Sequence, residues 1–189
     1  MTFATALAVL DAVVDRDPPI ERAALELERL IAEPERGADE LCAWIDGRPT
    51  LALVGRGSAR AAAEMGALTL KEAARMPAES LQAAQFRHGP LELAGPRLAV
   101  IVIATEQRTR ELELGLAGEL VRAGAAVLVI SQDGDAPDGA MAISVGPLTG
   151  GLAAAAATVP AQLLAWRLAR SRGLTPGEFV LAGKVTTRE

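Results

Sequence analysis

Apolar positions recur at two different spacings along the chain, and the change falls near residue 48. Before it, Leu7, Leu10, Val13 and Val14 repeat at the interval that lines one face of a helix. Pro18 and Pro19 end that run, and Leu25, Leu27, Leu30 and Ile31 form another that closes at Pro34. Residues 1–47 are therefore expected to form a helical N-terminal extension. Beyond them the apolar residues gather into short continuous runs, TLALVG, RLAVIVI, AAVLVIS and AMAISV, with helical patterns over 58–75, 106–123 and 151–172. Unbroken apolar strands alternating with helices predict an α/β fold in which a parallel sheet is covered on both faces.

The joints carry further expectations. Leu112, Leu116 and Leu120, with Ala117 and Val121, form one stripe of the middle helix, and Gly124 supplies its stop. The last helix holds Ala153 to Ala157, Leu163, Leu164 and Trp166, too apolar to be solvated all round, so it is expected at the centre or in an interface. Only 3% of the residues are aromatic and none is tyrosine, which leaves Ala, Leu and Val to build the core. Small residues allow close helix packing, and a homo-oligomeric face is expected on that ground.

Composition narrows the function classes. The 189 residues suffice for one well-buried domain with an appendage. A net charge of -5 with no run of Lys and Arg argues against nucleic acid as a partner. Cys42 is the single cysteine, which excludes an intrachain disulfide and a cysteine-based zinc site and fits a reducing compartment. The N-terminus has no basic leader region, and no apolar segment is read as reaching about 18 residues without charge, so a cytoplasmic protein with no membrane partner is expected. A lone histidine offers too few ligands for a transition metal, and nothing calls for a nucleotide or flavin, so neither metal nor cofactor is expected.

Three places could carry chemistry. After the first strand, GRGS sets Gly55 and Gly57 beside Ser58: either a tight turn with Ser58 capping the next helix, or a contact from Ser58 to a phosphate or sugar. The dinucleotide fingerprint is incomplete, because Ala59 and Arg60 stand where its third glycine would begin. In LKEAARMPAESLQAAQFRHGP, Glu72 and His88 could divide a proton-transfer task, or be a solvated acid and a turn histidine. Seventeen of the nineteen basic residues are arginine, and the exceptions are Lys71 and Lys184; a primary amine forms an imine with a carbonyl where a guanidinium does not.

The stretch GALTLKEAARMPAESLQAAQFRHGPLEL, the helix TVPAQLLAWRLARSRG and the tail KVTTRE resemble the sugar isomerase (SIS) family. They look most like the second SIS module of the glutamine:fructose-6-phosphate aminotransferases and their phosphosugar isomerase and deaminase relatives. The resemblance runs from about residue 48 to the end and implies a three-layer sandwich, a five-stranded parallel sheet flanked by helices, with residues 48–189 as one SIS domain. It implies a sugar phosphate such as fructose 6-phosphate or glucosamine 6-phosphate as ligand, and a homodimer or pairing with another SIS module. Position by position it implies Glu72 as the base moving a proton between C1 and C2, His88 as the ring-opening group, supplied in family members by a neighbouring subunit, and Lys184 as the Schiff-base amine. Lys71 and Ser58 fall among the substrate-binding positions.

Departures from the pattern are as specific. Thr69 stands where GALKLKE has its first lysine, and Met65 stands where that motif is preceded by glutamate, with Glu64 one residue away. Where relatives bind phosphate with an SxSGxT-type loop, this chain has ATEQRTREL, with Glu106 at a place where an anion would be repelled. The function expected is a phosphosugar isomerase or aminosugar-phosphate isomerase or deaminase half-site; the alternative is a non-catalytic sugar-phosphate-binding or dimerisation module.

Overall fold

The computed structural model describes residues 3–14, 18–178 and 180–181. Five parallel strands, β1 (Thr50–Gly55), β2 (Ala78–Gln82), β3 (Leu98–Ile103), β4 (Ala126–Ser131) and β5 (Met141–Ser144), lie in the order β2-β1-β3-β4-β5. The helices are α1 (Phe3–Val14), α2 (Ile20–Leu30), α3 (Pro34–Ile45), α4 (Ala59–Ala74), α5 (Ala83–Phe86), α6 (Arg110–Arg122), α7 (Gly150–Ala157) and α8 (Val159–Ser171).

Period-two alternation along the strands builds two cores. Leu51, Leu53, Ile101, Ile103, Leu128 and Ile130 point to one face, where α4, α7 and α8 cover them. Ala52, Val54, Val100, Val102, Val127 and Val129 point to the other, against Phe86 of α5 and Leu116, Ala117 and Leu120 of α6. The three-layer α/β sandwich expected from the sequence is the observed architecture. The fifth strand is β2, whose residues AESLQ carry no apolar run. It sits at an edge with only Ala78 buried and is held by pairing Leu51 to Ala78 through Gly55 to Gln82.

The N-terminal helices share this core. Ala23, Leu41 and Ile45 belong to the same buried cluster as α4 and α8. Asp11 of α1 accepts hydrogen bonds from the N–H groups of Gly151 (3.0 Å) and Leu152 (2.8 Å), while α7's own N-cap, Thr149, makes no side-chain bond. A carboxylate from α1 thus satisfies donors that the first turn of α7 leaves open.

Two expectations need correction. Residues 139–166 carry no charge, and Gly150–Ser171, with mean hydropathy 1.3, is by length and composition long and apolar enough to cross a membrane. In the fold 72% of that window is buried, and Pro160 starts α8 after a break at Thr158. In the middle helix, which begins at Arg110 rather than 106, Leu112 is 53% exposed and Glu113 is fully buried in its place. A helix turns about 100° per residue, so Glu113 lies closer than Leu112 to the stripe of Leu116, Ala117 and Leu120. Its carboxylate pairs with Arg56 at 2.7 Å, both side chains largely withdrawn from solvent. Burial pushes the Glu113 carboxyl up, against the pull of Thr109 and Arg56.

Three outcomes follow. Asp11→Ala should cost about 1 kcal/mol and speed hydrogen exchange at Gly151 and Leu152, since the first turn of α7 loses its only side-chain acceptor among the described residues. Glu113→Ala should cost about 3 kcal/mol in chemical denaturation, because Arg56 is left without its partner, whereas Leu112→Ala should stay within about 0.5 kcal/mol. A carboxyl held above its unfolded value favours the fold fully below that value and loses the contribution as pH rises through the folded one. Arg56→Met raises the folded value further, so its stability deficit relative to wild type should grow from about pH 4 to pH 7; a deficit that shrinks over that range would contradict the pairing.

Candidate functional site

In an open parallel sheet, ligands bind outside the carboxyl ends of strands where neighbouring connections diverge. Here β1 leads to β2 on one side, while its other neighbour β3 leads to β4, so the crevice lies between the ends of β1 and β3. The turn after β1 is tight for the reason its glycines suggest. Gly57 has φ +55°, and a Cβ on Gly55 would meet the Ala59 backbone at 2.9 Å. Ser58 takes the N-cap position of α4 in helical geometry and makes no side-chain cap bond, which corrects the capping alternative. Its Oγ is buried and has no hydrogen-bond partner among the described residues; the same holds for Oγ1 of Thr105, just past β3 and 2% exposed. Gln132, past β4, donates from Nε2 to the carbonyl of Thr105 at 2.7 Å and so ties the neighbouring loop to it. The carboxylate of Glu106 lies against Gly57, where a Cβ would stand 2.6 Å from Oε2.

The other candidate residues stand elsewhere. α4 runs back across the sheet from the carboxyl edge to the amino edge. Lys71 and Glu72, in its last turn, are thus about 20 Å from Ser58. Both are exposed, and neither side chain makes a hydrogen bond or ion pair among the described residues. Arg75, in left-handed geometry at φ 51°, ends the helix directly after them. The two departures from the family pattern meet on this helix: Thr69 turns its hydroxyl back to the Met65 carbonyl at 2.8 Å, and Glu64 pairs with Arg60. Neither offers Glu72 a polar neighbour.

His88 is exposed in the turn after α5, beyond the carboxyl end of β2, and Gly89 at φ +126° leads into a single 3-10 turn, Pro90–Leu93. Arg87 anchors that turn to α6 with a bidentate pair to Glu119, at 2.7 and 3.0 Å, which holds the Glu119 carboxyl below its usual range. Glu72 and His88 therefore flank opposite ends of β2 and are not brought together within one chain. Lys184 lies outside the described residues.

At the amino edge a cavity of about 290 Å³ is lined by Arg48, Arg167 and Arg172 beside Cys42. Its cations are already committed: Arg48 donates to the carbonyls of Trp44 and Asp46, Arg172 to that of Ala74, and Arg167 pairs with Asp39. Arg48 and Arg172 thereby neutralise the ends of α3 and α4. Burial pushes the Cys42 thiol up, against the pull of Arg167 and Arg172. Among the described residues no three His, Cys, Asp or Glu side chains are grouped to share a metal ion.

Sequence reasoning passed over Thr105, Gln132 and the Arg56–Glu113 pair. Only Glu113 left a signal, as a carboxylate set against the leucine stripe.

Known proteins share this fold. The glutamine–fructose-6-phosphate aminotransferase of Aeropyrum pernix is 32% identical over 167 residues, covering 85% of this chain and 27% of that protein. The chain thus spans about a quarter of that relative's length. The C-terminal domain of glucosamine-fructose-6-phosphate aminotransferase from Francisella tularensis superposes with a TM-score of 0.70 at 19% identity, over 80% of this chain and 44% of that one. Tagatose-6-phosphate ketose/aldose isomerase from Escherichia coli does so with a TM-score of 0.68 at 22% identity, over 87% and 47%. At these identities the two structures show a common fold. The profile of the SIS domain matches residues 45–171, and the chain belongs to that family.

Proposed function

We propose that this chain is a sugar-phosphate module whose isomerase-type site is completed by a second module, most simply another copy of itself. The observation that carries this reading is the exposure of Lys71, Glu72 and His88, without side-chain partners among the described residues, at opposite ends of β2. Groups so placed can meet only across an interface. The aminotransferase and the ketose/aldose isomerase among the relatives supply the substrate class, a phosphorylated ketose such as fructose 6-phosphate or its amino counterpart glucosamine 6-phosphate. On this reading the protein is cytoplasmic. In this reading residues 48–189 form the SIS domain and residues 1–47 a helical extension packed on it.

The chemistry follows from the groups. The Lys184 amine condenses with the C2 carbonyl of the open-chain ketose, releasing water and holding the sugar as an iminium; attack at C2 by ammonia or by water then frees the lysine amine and leaves an imine or a ketone whose C1 hydrogens are acidic. Glu72 takes a proton from C1 and returns it at C2, while His88 of the opposing module donates to the ring oxygen during opening. Binding without turnover is the second reading. It is favoured by the Thr69 hydroxyl, which bonds back to Met65 and leaves Glu72 without polar support.

Borohydride trapping with fructose 6-phosphate, followed by peptide mass spectrometry, should place a sugar-phosphate adduct on Lys184 that Lys184→Arg abolishes. Glu72→Gln should keep the adduct yet lower isomerisation about 10²–10⁴-fold, as loss of a proton-transfer group does. Absence of an adduct together with a thermal shift from the same sugar would replace catalysis by binding. Light scattering should return a dimer; a monomer that still turns over substrate would refute the shared site.

A further inference from the structure

We infer that Glu106 is a built-in anion that closes the crevice between β1 and β3 to phosphate, and so determines which side of the module a sugar phosphate can use. The crevice is equipped for an anion. The N-terminus of the 16-residue α4 opens onto it with its positive dipole end, the N–H groups of Ala59, Arg60 and Ala61 themselves donating to the carbonyls of Arg56, Gly57 and Ser58. Two hydroxyls, Ser58 Oγ and Thr105 Oγ1, are buried beside it and bond to nothing among the described residues. Thr105 belongs to the α4 side: Ile103 packs on that face and Ala104 on the other, and alternation carried one residue further turns Thr105 back toward α4. Buried donors without acceptors are costly, and a protein retains them where something else engages them.

Glu106 lies at the same crevice, against Gly57, without bonding to either hydroxyl. Its carboxylate is packed on Gly57, a residue whose missing side chain and positive φ are both needed for the approach. It forms no ion pair among the described residues, and Arg56, the cation of the same turn, is committed to Glu113. A phosphate entering here would meet a carboxylate at van der Waals distance in a half-buried setting, where like charges repel strongly. A carboxylate also stands at the N-terminus of α7, where Asp11 of α1 accepts directly from the N–H groups of Gly151 and Leu152. The inference extends the proposed function, by assigning sugar phosphate to the opposite, α4-end face, but needs no catalytic role for Glu72, His88 or Lys184.

The test reads binding rather than turnover, so failure of the trapping experiment leaves it intact. Thermal shift and titration calorimetry with inorganic phosphate, against chloride at matched ionic strength, are run on the full chain. Wild type should show no shift beyond chloride, and Glu106→Ser should gain a saturable one. Adding Ser58→Ala and Thr105→Val should abolish the gain. Should Glu106→Ser not fold, Glu106→Gln, which keeps the volume and removes the charge, takes its place. Phosphate binding by wild type that Ser58→Ala and Thr105→Val weaken would overturn the inference. So would no gain in the Glu106 variants, or a gain that survives loss of both hydroxyls, which marks an adventitious ion only.

Discussion

α4 lies close against the sheet because Gly66 has no side chain: a Cβ there would stand 2.7 Å from Leu53 Cδ2 and 3.0 Å from Ala161 Cβ. Ala59, Ala62, Ala63 and Ala67 extend the same thin, buried surface along the helix, and α8 closes over it with Ala161, Leu164 and Ala165. The helix is therefore a rod gripped on two sides, about 24 Å long. Its ends are the two chemically equipped ends of the domain. Ser58 is fixed at the carboxyl edge, and Lys71 and Glu72 at the amino edge. No side-chain rotation joins them, so among the described residues Glu72 is not brought to the groups of the carboxyl edge.

The alanine-rich composition is the origin of this grip. An alanine removes little apolar area from water, and a core with 3% aromatic residues must recover stability through close approach. On the opposite face the sheet presents Val and Ala, and there the single large aromatic, Phe86, fills the space beside α6. That packing also fixes α5, and with the Arg87–Glu119 pair it sets the direction in which the His88 turn leaves the domain.

How much of this was legible depended on whether burial left a mark in the local pattern. β1, β3 and β4 are buried on both faces and read as unbroken apolar runs. β2 was reached only through the family resemblance, because an edge strand with one buried residue has little to show, and AESLQ becomes a strand by hydrogen bonding to β1. The leucine stripe of α6 misled by one residue, since Leu112 looked apolar enough to be inside while Glu113 enters on the strength of a partner 57 positions away in sequence. Of the candidate site, the residue types and their spacing were visible and the distances were not. Nothing in LKE…HGP states that the parallel connection carries Glu72 and His88 to opposite ends of β2. The Thr69 to Met65 bond is also local, yet it becomes meaningful only once both positions are known to miss a polar group.

The carboxyl edge of the sheet follows one electrostatic rule. Three long helices begin there, and each receives a carboxylate from the protein itself: α4 has Glu106 against Gly57, α6 has Glu111 and Glu113 in its first turn, and α7 has Asp11 from the N-terminal extension. A helix N-terminus attracts one anion strongly and a second only against the repulsion of the first. An edge whose positive ends are all satisfied internally gains stability from them and gives up their capacity to hold a phosphate. The amino edge is the reverse case, because Lys71 has no side-chain partner among the described residues beside Glu72 on an exposed turn, while Arg48 and Arg172 behind it are taken up by helix ends and Arg167 by Asp39. On the proposed reading the α4-end face is the one left to a sugar phosphate, and there the described residues supply a carboxylate and an amine at an exposed helix end.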